Sequence, residues 1–192
     1  MRTRKIKTVF LDRDGVINRK RPEGDYVKCW EEFEFLPQAP EALKLLKEAG
    51  LRLIIVTNQR GIARGLMTER DLEEIHRRML AELATLQVSV DAIYYCPHEE
   101  GLCECRKPRV GLFRRAQQDF PDIDFAKSAV IGDSLKDMEA GTQLGCLTIL
   151  IANGTRKERL CNESTAKGIR IDVVVSSLFE AAKLLTSFGS AR

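Results

Sequence analysis

The sequence predicts an α/β fold in which helices cover both faces of a parallel sheet. Short apolar, β-branched runs alternate along the chain with segments whose apolar residues recur every three or four positions. No internal repeat, low-complexity segment or linker interrupts this alternation. The 192 residues are therefore expected to form one domain over residues 1–192.

The individual elements follow from this alternation. The apolar runs predict six strands, at residues 7–11, 51–56, 90–95, 128–131, 146–151 and 171–175. Helical spacing predicts five helices between and after them, at residues 42–49, 68–86, 110–120, 135–144 and 178–185. Gly50 lies where a C-terminal cap of the first helix is expected, and Thr68 is a suitable N-cap for the second.

The charge balance argues against several classes of protein. A net charge of +3 permits attraction to phosphorylated ligands but falls well short of a nucleic-acid-binding surface. Only the four residues 8–11 separate the basic segment 1–7 from Asp12, which is too short for the apolar core of a signal peptide, and no run has the length of a membrane span. We therefore expect a cytoplasmic protein that binds neither nucleic acid nor membrane.

Polar clusters follow four predicted strands, directly or after an intervening loop. Ligands of open α/β sheets bind at the carboxyl ends of the strands, so these clusters are expected to meet there. A single acidic turn would be unremarkable, but four clusters at corresponding places indicate one functional site. The clusters are Asp12 with Asp14, Thr57 with Asn58 and Gln59, Lys107, and Asp133 with Ser134 and Asp137.

The acidic residues suit a magnesium-dependent phosphoryl transfer. Asp12, Asp14 and Asp133 offer the hard oxygen ligands that Mg²⁺ prefers. The ion would reduce the repulsion between Asp12 and an incoming phosphate. Asp12 is predicted to be the nucleophile that forms an aspartyl-phosphate. Asp14 is predicted to protonate the leaving oxygen and then to activate water.

The remaining cluster residues suit the phosphate itself. Thr57 and Asn58 can hold its non-bridging oxygens, and Lys107 supplies the positive charge that an anionic transition state needs. Asp137 lies one helical turn after Asp133, so it can hold Lys107 or a metal-bound water. A solvated acid in the first turn of a helix is an equally good interpretation of Asp137.

Taken in order, these motifs resemble those of a known superfamily. Four segments are similar to the motifs of the haloacid dehalogenase (HAD) superfamily of phosphotransferases, namely Asp12-x-Asp14-Gly15, Thr57-Asn58, Lys107-Pro108 and Gly132-Asp133-x3-Asp137. The resemblance implies a Rossmann-like, three-layer parallel sheet of the HAD type and a catalytic Mg²⁺.

A second group of metal-ligating residues lies between the third predicted strand and Lys107. Three cysteines and one histidine fall within residues 96–105, namely Cys96, His98, Cys103 and Cys105. Three thiolates and one imidazole are a typical closed ligand set for structural zinc, and they predict an inserted zinc loop. Four unrelated residues in a reduced loop are the weaker alternative. The other histidine, His76, is expected on the surface or in helix packing.

The cysteine loop narrows the resemblance to one family. Residues 10–18, 57–65, 94–98, 103–108 and 132–134 resemble the bacterial D-glycero-D-manno-heptose 1,7-bisphosphate phosphatases. Members of that family lack a large cap domain and act on the sugar bisphosphate during nucleotide-heptose synthesis for lipopolysaccharide or surface glycans. The resemblance implies a set of substrate-binding residues: Arg13, Glu23, Gly24, Asp25, Tyr26, Asn58, Gln59, Arg60, Arg106 and Ser134.

Three features depart from the family pattern. Arg60 stands where a small residue usually follows Thr-Asn-Gln, and residues 19–22 form a longer, more basic loop. The loop between His98 and Cys103 has only four residues. The first two departures add positive charge around the pocket mouth, which would favour a bisphosphate or alter which bisphosphate is taken. Solvation at the surface is an equally good interpretation of Lys20 and Arg21.

The sequence leaves other functions open. A histidinol-phosphate phosphatase resembles the chain in the same motifs, although Arg60 and Arg106 would offer it an unneeded second anion site. A polynucleotide 3′-phosphatase is disfavoured because no strip of aromatic and basic residues is present for stacking bases. A non-catalytic zinc module that binds nucleic acid or protein is the alternative of a different class. Nothing indicates a partner chain, and we expect a monomer that binds a small phosphorylated sugar.

Overall fold

Six parallel strands form one sheet in the computed structural model, which describes residues 5–22 and 24–187. The strands are β1 (Thr8–Leu11), β2 (Arg52–Asn58), β3 (Ala92–Cys96), β4 (Ser128–Gly132), β5 (Leu147–Ile151) and β6 (Val173–Val175). Their order across the sheet is β3-β2-β1-β4-β5-β6, and every neighbouring pair is parallel. From β1 the next two strands are added on one side of the sheet, and β4 to β6 are added on the other side. This switch point between β1 and β4 is where open α/β sheets bind their ligands.

Helices connect the strands. They are α1 (Ala39–Glu48), α2 (Glu69–Thr85), α3 (Gly111–Asp119), α4 (Leu135–Leu144), α5 (Gly154–Ala166) and α6 (Leu178–Ser187), with 3₁₀ turns at Trp30–Glu32 and Phe125–Lys127. The predicted strands and five predicted helices are all present, so the α/β prediction is confirmed. Helix α5 was not predicted, because it buries only Leu160 and Ser164 and shows no apolar face.

The helix ends form where the sequence favours them. Thr68 accepts a hydrogen bond from the Asp71 amide at 3.1 Å, and the Asp71 carboxylate accepts one from the Thr68 amide at 2.8 Å. This reciprocal capping box fixes the start of α2. Helix α4 ends at Gly145, whose φ of 74° is accessible to glycine at little cost.

Alternate residues of β1 reach opposite faces of the sheet, as the two-residue period of a strand requires. Val9 and Leu11 pack in a buried cluster with residues of α1 and α6, such as Leu43 and Ala182. Phe10 packs on the other face, where its ring lies 5.0 Å from that of Phe113 on α3. Both faces of the sheet are therefore covered, which gives the three layers that the sequence predicts.

Helices long and apolar enough to cross a membrane are absent from residues 5–22 and 24–187.

Candidate active site and metal centres

Lys107 lies at the centre of the carboxylate site. Its Nζ is 3.0 Å from Asp12 Oδ1 and 2.6 Å from Asp137 Oδ1, and it donates a hydrogen bond to the carbonyl of Val56 at 2.6 Å. The side chain is 3 % exposed, and Asp137 is 1 % exposed. Three acceptors from three different elements thus fix one buried cation beside Asp12.

Three carboxylates in this site could hold a metal ion. Oxygens of Asp12, Asp133 and Asp137 all lie within 4.8 Å of one another. Burial raises the pKa of Asp12 to about 7, and repulsion from Asp137 and Asp133 adds to the rise, although Lys107 opposes it. Crowded acids in a buried site fit a divalent cation, whose charge would relieve their repulsion. The donor set therefore suits Mg²⁺.

The register of the sheet explains why Asp12 and Asp133 meet. Leu11 on β1 pairs with Ile131 on β4, so both strands end at the same level. Asp12 and Asp133 each follow their strand closely. Gly15 permits this approach, because a Cβ on it would lie 2.5 Å from Asp133 Oδ2, and its φ of +87° favours glycine.

Asp133 has two cationic neighbours that sequence reasoning did not find. Lys20 Nζ lies 3.1 and 3.0 Å from the two Asp133 carboxylate oxygens. Arg156, near the start of α5, lies 2.9 Å from Asp133 Oδ2 and also donates to the Asp133 carbonyl. Both contacts span more than twenty residues of sequence, and Lys20 belongs to the basic loop noted above.

The Asp14 side chain lies outside this group, which corrects the expectation that its carboxylate would join Asp12 and Asp133 on the metal. Asp14 accepts hydrogen bonds from Arg13 at 3.0 Å, from Asn18 at 2.9 Å and from Gln59 at 2.8 Å. Burial would raise the pKa of Asp14, but the charge of Arg13 and these hydrogen bonds outweigh it and lower the pKa. Asp14 is thus an oriented, ionised carboxylate.

Arg13 makes its side-chain contacts inside the protein, and its predicted part in substrate binding stays a prediction. Its side chain is fully buried, because the guanidinium lies between Asp14 and His76. The histidine, expected on the surface or in packing, is buried, and its Nε2 lies 3.2 Å from Arg13 NH1. Sequence proximity to two acids placed Arg13 in the site, but its orientation depends on α2, which is distant in sequence.

Asn58, the last residue of β2, and Gln59, which follows it, hydrogen-bond to other residues of the protein. The sequence did not predict these contacts. The side-chain amide of Asn58 donates to the Lys107 carbonyl at 3.1 Å and accepts a hydrogen bond from the Lys107 backbone amide at 3.0 Å. Asn58 therefore positions the Lys107 backbone, and its expected contact with substrate oxygens stays a prediction. Gln59 donates both to Asp14 and, at 2.9 Å, to the hydroxyl of Thr57.

Ser134 has a similar structural role. Its hydroxyl donates to Asp137 Oδ2 at 2.6 Å, and its amide donates to the same oxygen at 3.2 Å. The hydroxyl is therefore occupied in capping α4. The predicted contact of Ser134 with the substrate stays a prediction.

The predicted substrate loop and the zinc loop meet at Arg60. Its Nε donates to the Tyr26 hydroxyl at 3.1 Å, and its NH1 lies 3.0 Å from Glu99. Asp25 is paired with Arg21 and Lys28, and Gly24 adopts a φ of +88°. Glu23, the remaining predicted residue of this loop, lies outside the described residues.

Arg106 directly precedes Lys107 in the sequence and is half-buried. Its NH1 makes a long hydrogen bond of 3.4 Å to the carbonyl of His98. Its Nε is buried without a hydrogen-bond partner among the residues that the structure describes. A buried donor without a partner is costly, and an anionic ligand would satisfy it.

The four predicted zinc ligands converge. Cys96, Cys103 and Cys105 have sulfur atoms 3.1 to 3.5 Å apart, and His98 Nδ1 lies 3.3 Å from Cys105 and 3.6 Å from Cys96. Zn–S bonds of about 2.3 Å place sulfurs about 3.7 Å apart in a tetrahedral site, so a modest expansion admits zinc. Burial and the neighbouring thiols raise the pKa of Cys105, and a bound cation would stabilise its thiolate.

The cysteine cluster, which begins at the end of β3, is hydrogen-bonded to the segment that follows β2. The backbone amide of Gln59 donates to the Cys96 carbonyl at 2.8 Å, and the backbone amide of Ala63 donates to the Pro97 carbonyl at 3.2 Å. Lys107 follows Cys105 by two residues. A metal that closes this loop would therefore fix the segment that carries Lys107.

Known proteins share this architecture. A family model for HAD-like hydrolases matches residues 104–181. The D-glycero-alpha-D-manno-heptose-1,7-bisphosphate 7-phosphatase of Campylobacter jejuni is 43% identical over 154 residues, which cover 80% of this chain and 87% of that protein. The D-glycero-beta-D-manno-heptose-1,7-bisphosphate 7-phosphatase of Bordetella bronchiseptica is 37% identical over 168 residues, covering 86% and 92%.

A solved structure agrees with these relatives. The crystal structure of D,D-heptose 1,7-bisphosphate phosphatase from B. bronchiseptica, complexed with magnesium and phosphate, has a TM-score of 0.84 and 34% identity, covering 95% of this chain and 99% of that one. The predicted superfamily, fold and phosphatase class are confirmed, and the non-catalytic alternative finds no support. The chain belongs to the heptose-1,7-bisphosphate 7-phosphatase family of HAD-like hydrolases.

Proposed function

We propose that the chain removes the 7-phosphate of D-glycero-D-manno-heptose 1,7-bisphosphate in a Mg²⁺-dependent reaction, giving the heptose 1-phosphate and inorganic phosphate. The observation that carries the proposal is the Asp12–Lys107–Asp137 cluster facing Asp133, in a chain similar to phosphatases named for this substrate. The product would feed the synthesis of nucleotide-activated heptose for lipopolysaccharide or another surface glycan.

The first step forms a phosphoenzyme on Asp12. A carboxylate oxygen of Asp12 attacks phosphorus, and the bond between phosphorus and the sugar oxygen breaks. Mg²⁺ held by Asp12 and Asp133 would reduce the charge repulsion between the nucleophile and the phosphate. Lys107 lies 3.0 Å from Asp12, where its charge stabilises the transferred group. Asp14, once protonated, gives its proton to the departing oxygen.

The second step returns the enzyme to its starting state. A water molecule attacks phosphorus, and Asp14 accepts the proton that this water loses. The bond between Asp12 and phosphorus breaks, which releases inorganic phosphate and restores the Asp12 carboxylate. The same Asp14 thus gives a proton in one step and recovers one in the next. The hydrogen bonds from Arg13, Asn18 and Gln59 orient Asp14 and favour its ionised form, which suits its role as the base in this second step.

The non-reacting phosphate needs a second cationic site. Arg106 suits this role, because its Nε is buried without a partner and a guanidinium binds phosphate with a two-pronged donor set. Thr57 suits the reacting phosphate, since its hydroxyl accepts from Gln59 and keeps its own proton to donate. Arg60 suits closure of the pocket rim, since it joins Tyr26 to Glu99.

The setting of this reaction is part of the proposal. We place the protein in the cytoplasm as a monomer and a single domain, with no nucleic-acid, membrane or protein partner required. The modest net charge of +3 is consistent with the absence of a nucleic-acid partner. Sedimentation of the purified chain at several concentrations measures its oligomeric state directly.

The proposed substrate is tested by phosphate release from a panel of compounds. The panel holds both anomers of heptose 1,7-bisphosphate, histidinol phosphate and fructose 1,6-bisphosphate, each with and without Mg²⁺. We expect a preference of at least about tenfold in kcat/KM for a heptose bisphosphate, because one satisfied charged contact contributes about 1.5–3 kcal/mol. A preference for histidinol phosphate would overturn the assignment, and the anomer that reacts faster identifies the substrate.

A further inference from the structure

His76 is a buried polar residue of α2 that the proposed chemistry does not use. Its exposure is 7 %, and its Nε2 lies 3.2 Å from NH1 of Arg13. Arg13 is itself fully buried, and its other terminal nitrogen donates at 3.0 Å to both carboxylate oxygens of Asp14. The contacts form one line from α2 to the residue proposed as general acid and base.

We infer that His76 is a positioning residue, which fixes Arg13 and through it the carboxylate of Asp14. The inference rests on the proposed function of Asp14 and adds a residue to it. His76 touches neither the nucleophile nor the carboxylates that could hold a metal. Its hydrogen bond to the Arg13 guanidinium is the contact that leads towards Asp14.

The protonation state of His76 follows from its partner. A guanidinium has only N–H donors, so the nitrogen that faces it must carry a free lone pair. Burial, together with the charge of Arg13, lowers the pKa of His76 to about 3. The ring is therefore neutral at physiological pH, with Nε2 as the acceptor and the proton on Nδ1.

Arg13 has few other acceptors. Its NH2 is shared between Asp14 and, at 3.4 Å, Gln59. Its Nε is buried with no partner among the described residues, and His76 is the recorded partner of NH1. Loss of the His76 acceptor would leave the buried guanidinium with a second unsatisfied donor, which costs about 1–3 kcal/mol. The guanidinium would then rotate, and Asp14 would rotate with it.

A set of substitutions at position 76 separates positioning from packing. His76→Gln places an amide oxygen close to the Nε2 position and keeps the acceptor. His76→Asn keeps polarity but is too short to reach Arg13, and His76→Leu fills the space without any acceptor. Arg77→Gln, on the exposed side of the same helix, is the matched control. Melting temperature is measured for every variant.

The readout is kcat/KM for two substrates with different leaving groups. Hydrolysis of the sugar bisphosphate needs a proton on the leaving oxygen, whereas p-nitrophenyl phosphate releases a stable anion that needs none. We expect His76→Asn and His76→Leu to lose about 10- to 100-fold on the sugar bisphosphate and less than about threefold on p-nitrophenyl phosphate. His76→Gln should remain within about threefold of the unaltered enzyme on both substrates.

Two results would overturn the inference. One is an equal loss on both substrates, and the other is a loss that follows melting temperature without recovery in His76→Gln. Asp14→Asn distinguishes these failures from failure of the proposed function. If Asp14→Asn is inactive on the sugar bisphosphate while His76→Leu is fully active, the role of Asp14 stands and that of His76 falls.

Discussion

The carboxylate site and the cysteine cluster differ in the chemistry of their metal ligands, in their position and in whether they leave a coordination position open. The first joins Asp12, Asp133 and Asp137 at the ends of β1 and β4, where the strand register fixes their separation. The second joins three sulfurs and a ring nitrogen within the single segment 96–105. Hard oxygens with room for a phosphate suit a catalytic ion, and four soft ligands that leave no open position suit a structural one.

The difference shows how the molecule divides its tasks. The sheet places acids from distant segments side by side, and the cysteine segment holds one loop in a fixed shape. Lys107 belongs to both regions, because it follows Cys105 by two residues and contacts Asp12. Substitutions in the two regions should therefore have different effects on activity and stability.

Replacement of the nucleophile should have the largest effect. Asp12→Asn keeps the size of the side chain but removes its nucleophilic oxygen, so we expect a loss of at least about a thousandfold in kcat. Asp122→Asn, at an exposed acid paired with Arg52, is the control and should be fully active. Zinc content and melting behaviour should stay close to those of the unaltered protein. Substantial activity in Asp12→Asn would refute the assignment of the nucleophile.

Replacement of Lys107 should damage both chemistry and stability. Lys107→Met leaves Asp12 and Asp137 without their buried cation, which costs about 3–5 kcal/mol of unfolding free energy. We also expect a loss of about 100- to 1000-fold in kcat, because the transition-state charge is no longer balanced. Denaturant unfolding and phosphate release measure the two effects. Lys127→Met, at an exposed lysine, should change neither, and an active Lys107→Met variant would exclude a catalytic role.

Loss of one sulfur should act on stability first. Cys103→Ser is expected to release zinc and to lower the melting temperature by about 5–10 °C, because metal binding here stabilises the folded loop. Activity should fall several-fold, since Lys107 loses its rigid neighbour, and added Mg²⁺ should not restore it. Cys29→Ser, at an exposed cysteine outside the cluster, is the control. Elemental analysis should give about one zinc per unaltered chain. An unaltered chain without zinc would contradict the predicted structural zinc site.

The sequence predicted both clusters because each depends on short-range rules. Residues that directly follow parallel strands lie at one edge of the sheet, where ligands bind, so Asp12 and Asp133 could be assigned to one site without coordinates. Residues 96–105 lie within one loop, so their ligand chemistry was visible in their spacing. Helix α5 was missed because its surface is polar around most of its circumference. The orientation of Asp14 was also missed, since it depends on His76 in α2.

A smaller effect is expected on the pH dependence of the free energy of unfolding, through His76. The pKa of His76 is about 3 in the folded protein and about 6.5 in the unfolded chain. As pH falls below 6.5, His76 binds a proton in the unfolded chain but stays neutral in the folded protein. The free energy of unfolding therefore falls. At pH 5 the loss from this group is about 2 kcal/mol.

His76→Gln should remove this component. The difference in unfolding free energy between pH 7.5 and pH 5 should become smaller by that amount, as urea titrations at both pH values will measure. An unchanged difference would show that the ring is charged or accessible to solvent in the folded protein.

The contact between Lys20 and Asp133 should have the smallest effect. The lysine occupies both oxygens of a carboxylate that suits Mg²⁺, so the two cations compete. The Lys20 side chain is 52 % exposed, and a half-exposed pair contributes only about 0.2–1 kcal/mol. Lys20→Met should therefore tighten Mg²⁺ binding by about two- to fivefold in calorimetry, whereas Lys136→Met should not. Weaker Mg²⁺ binding in Lys20→Met would show that this lysine does not oppose the ion.

The most direct test of the central claim is to find the phosphoryl group on the enzyme. Asp14→Asn should still transfer phosphate from p-nitrophenyl phosphate but hydrolyse the phosphoenzyme slowly, because the water lacks its base. We predict a burst of about one nitrophenolate per chain. After acid quenching, peptide mass spectrometry should locate the phosphoryl group on Asp12. A labelled residue other than Asp12, or steady turnover without a burst or a labelled peptide, would contradict the account.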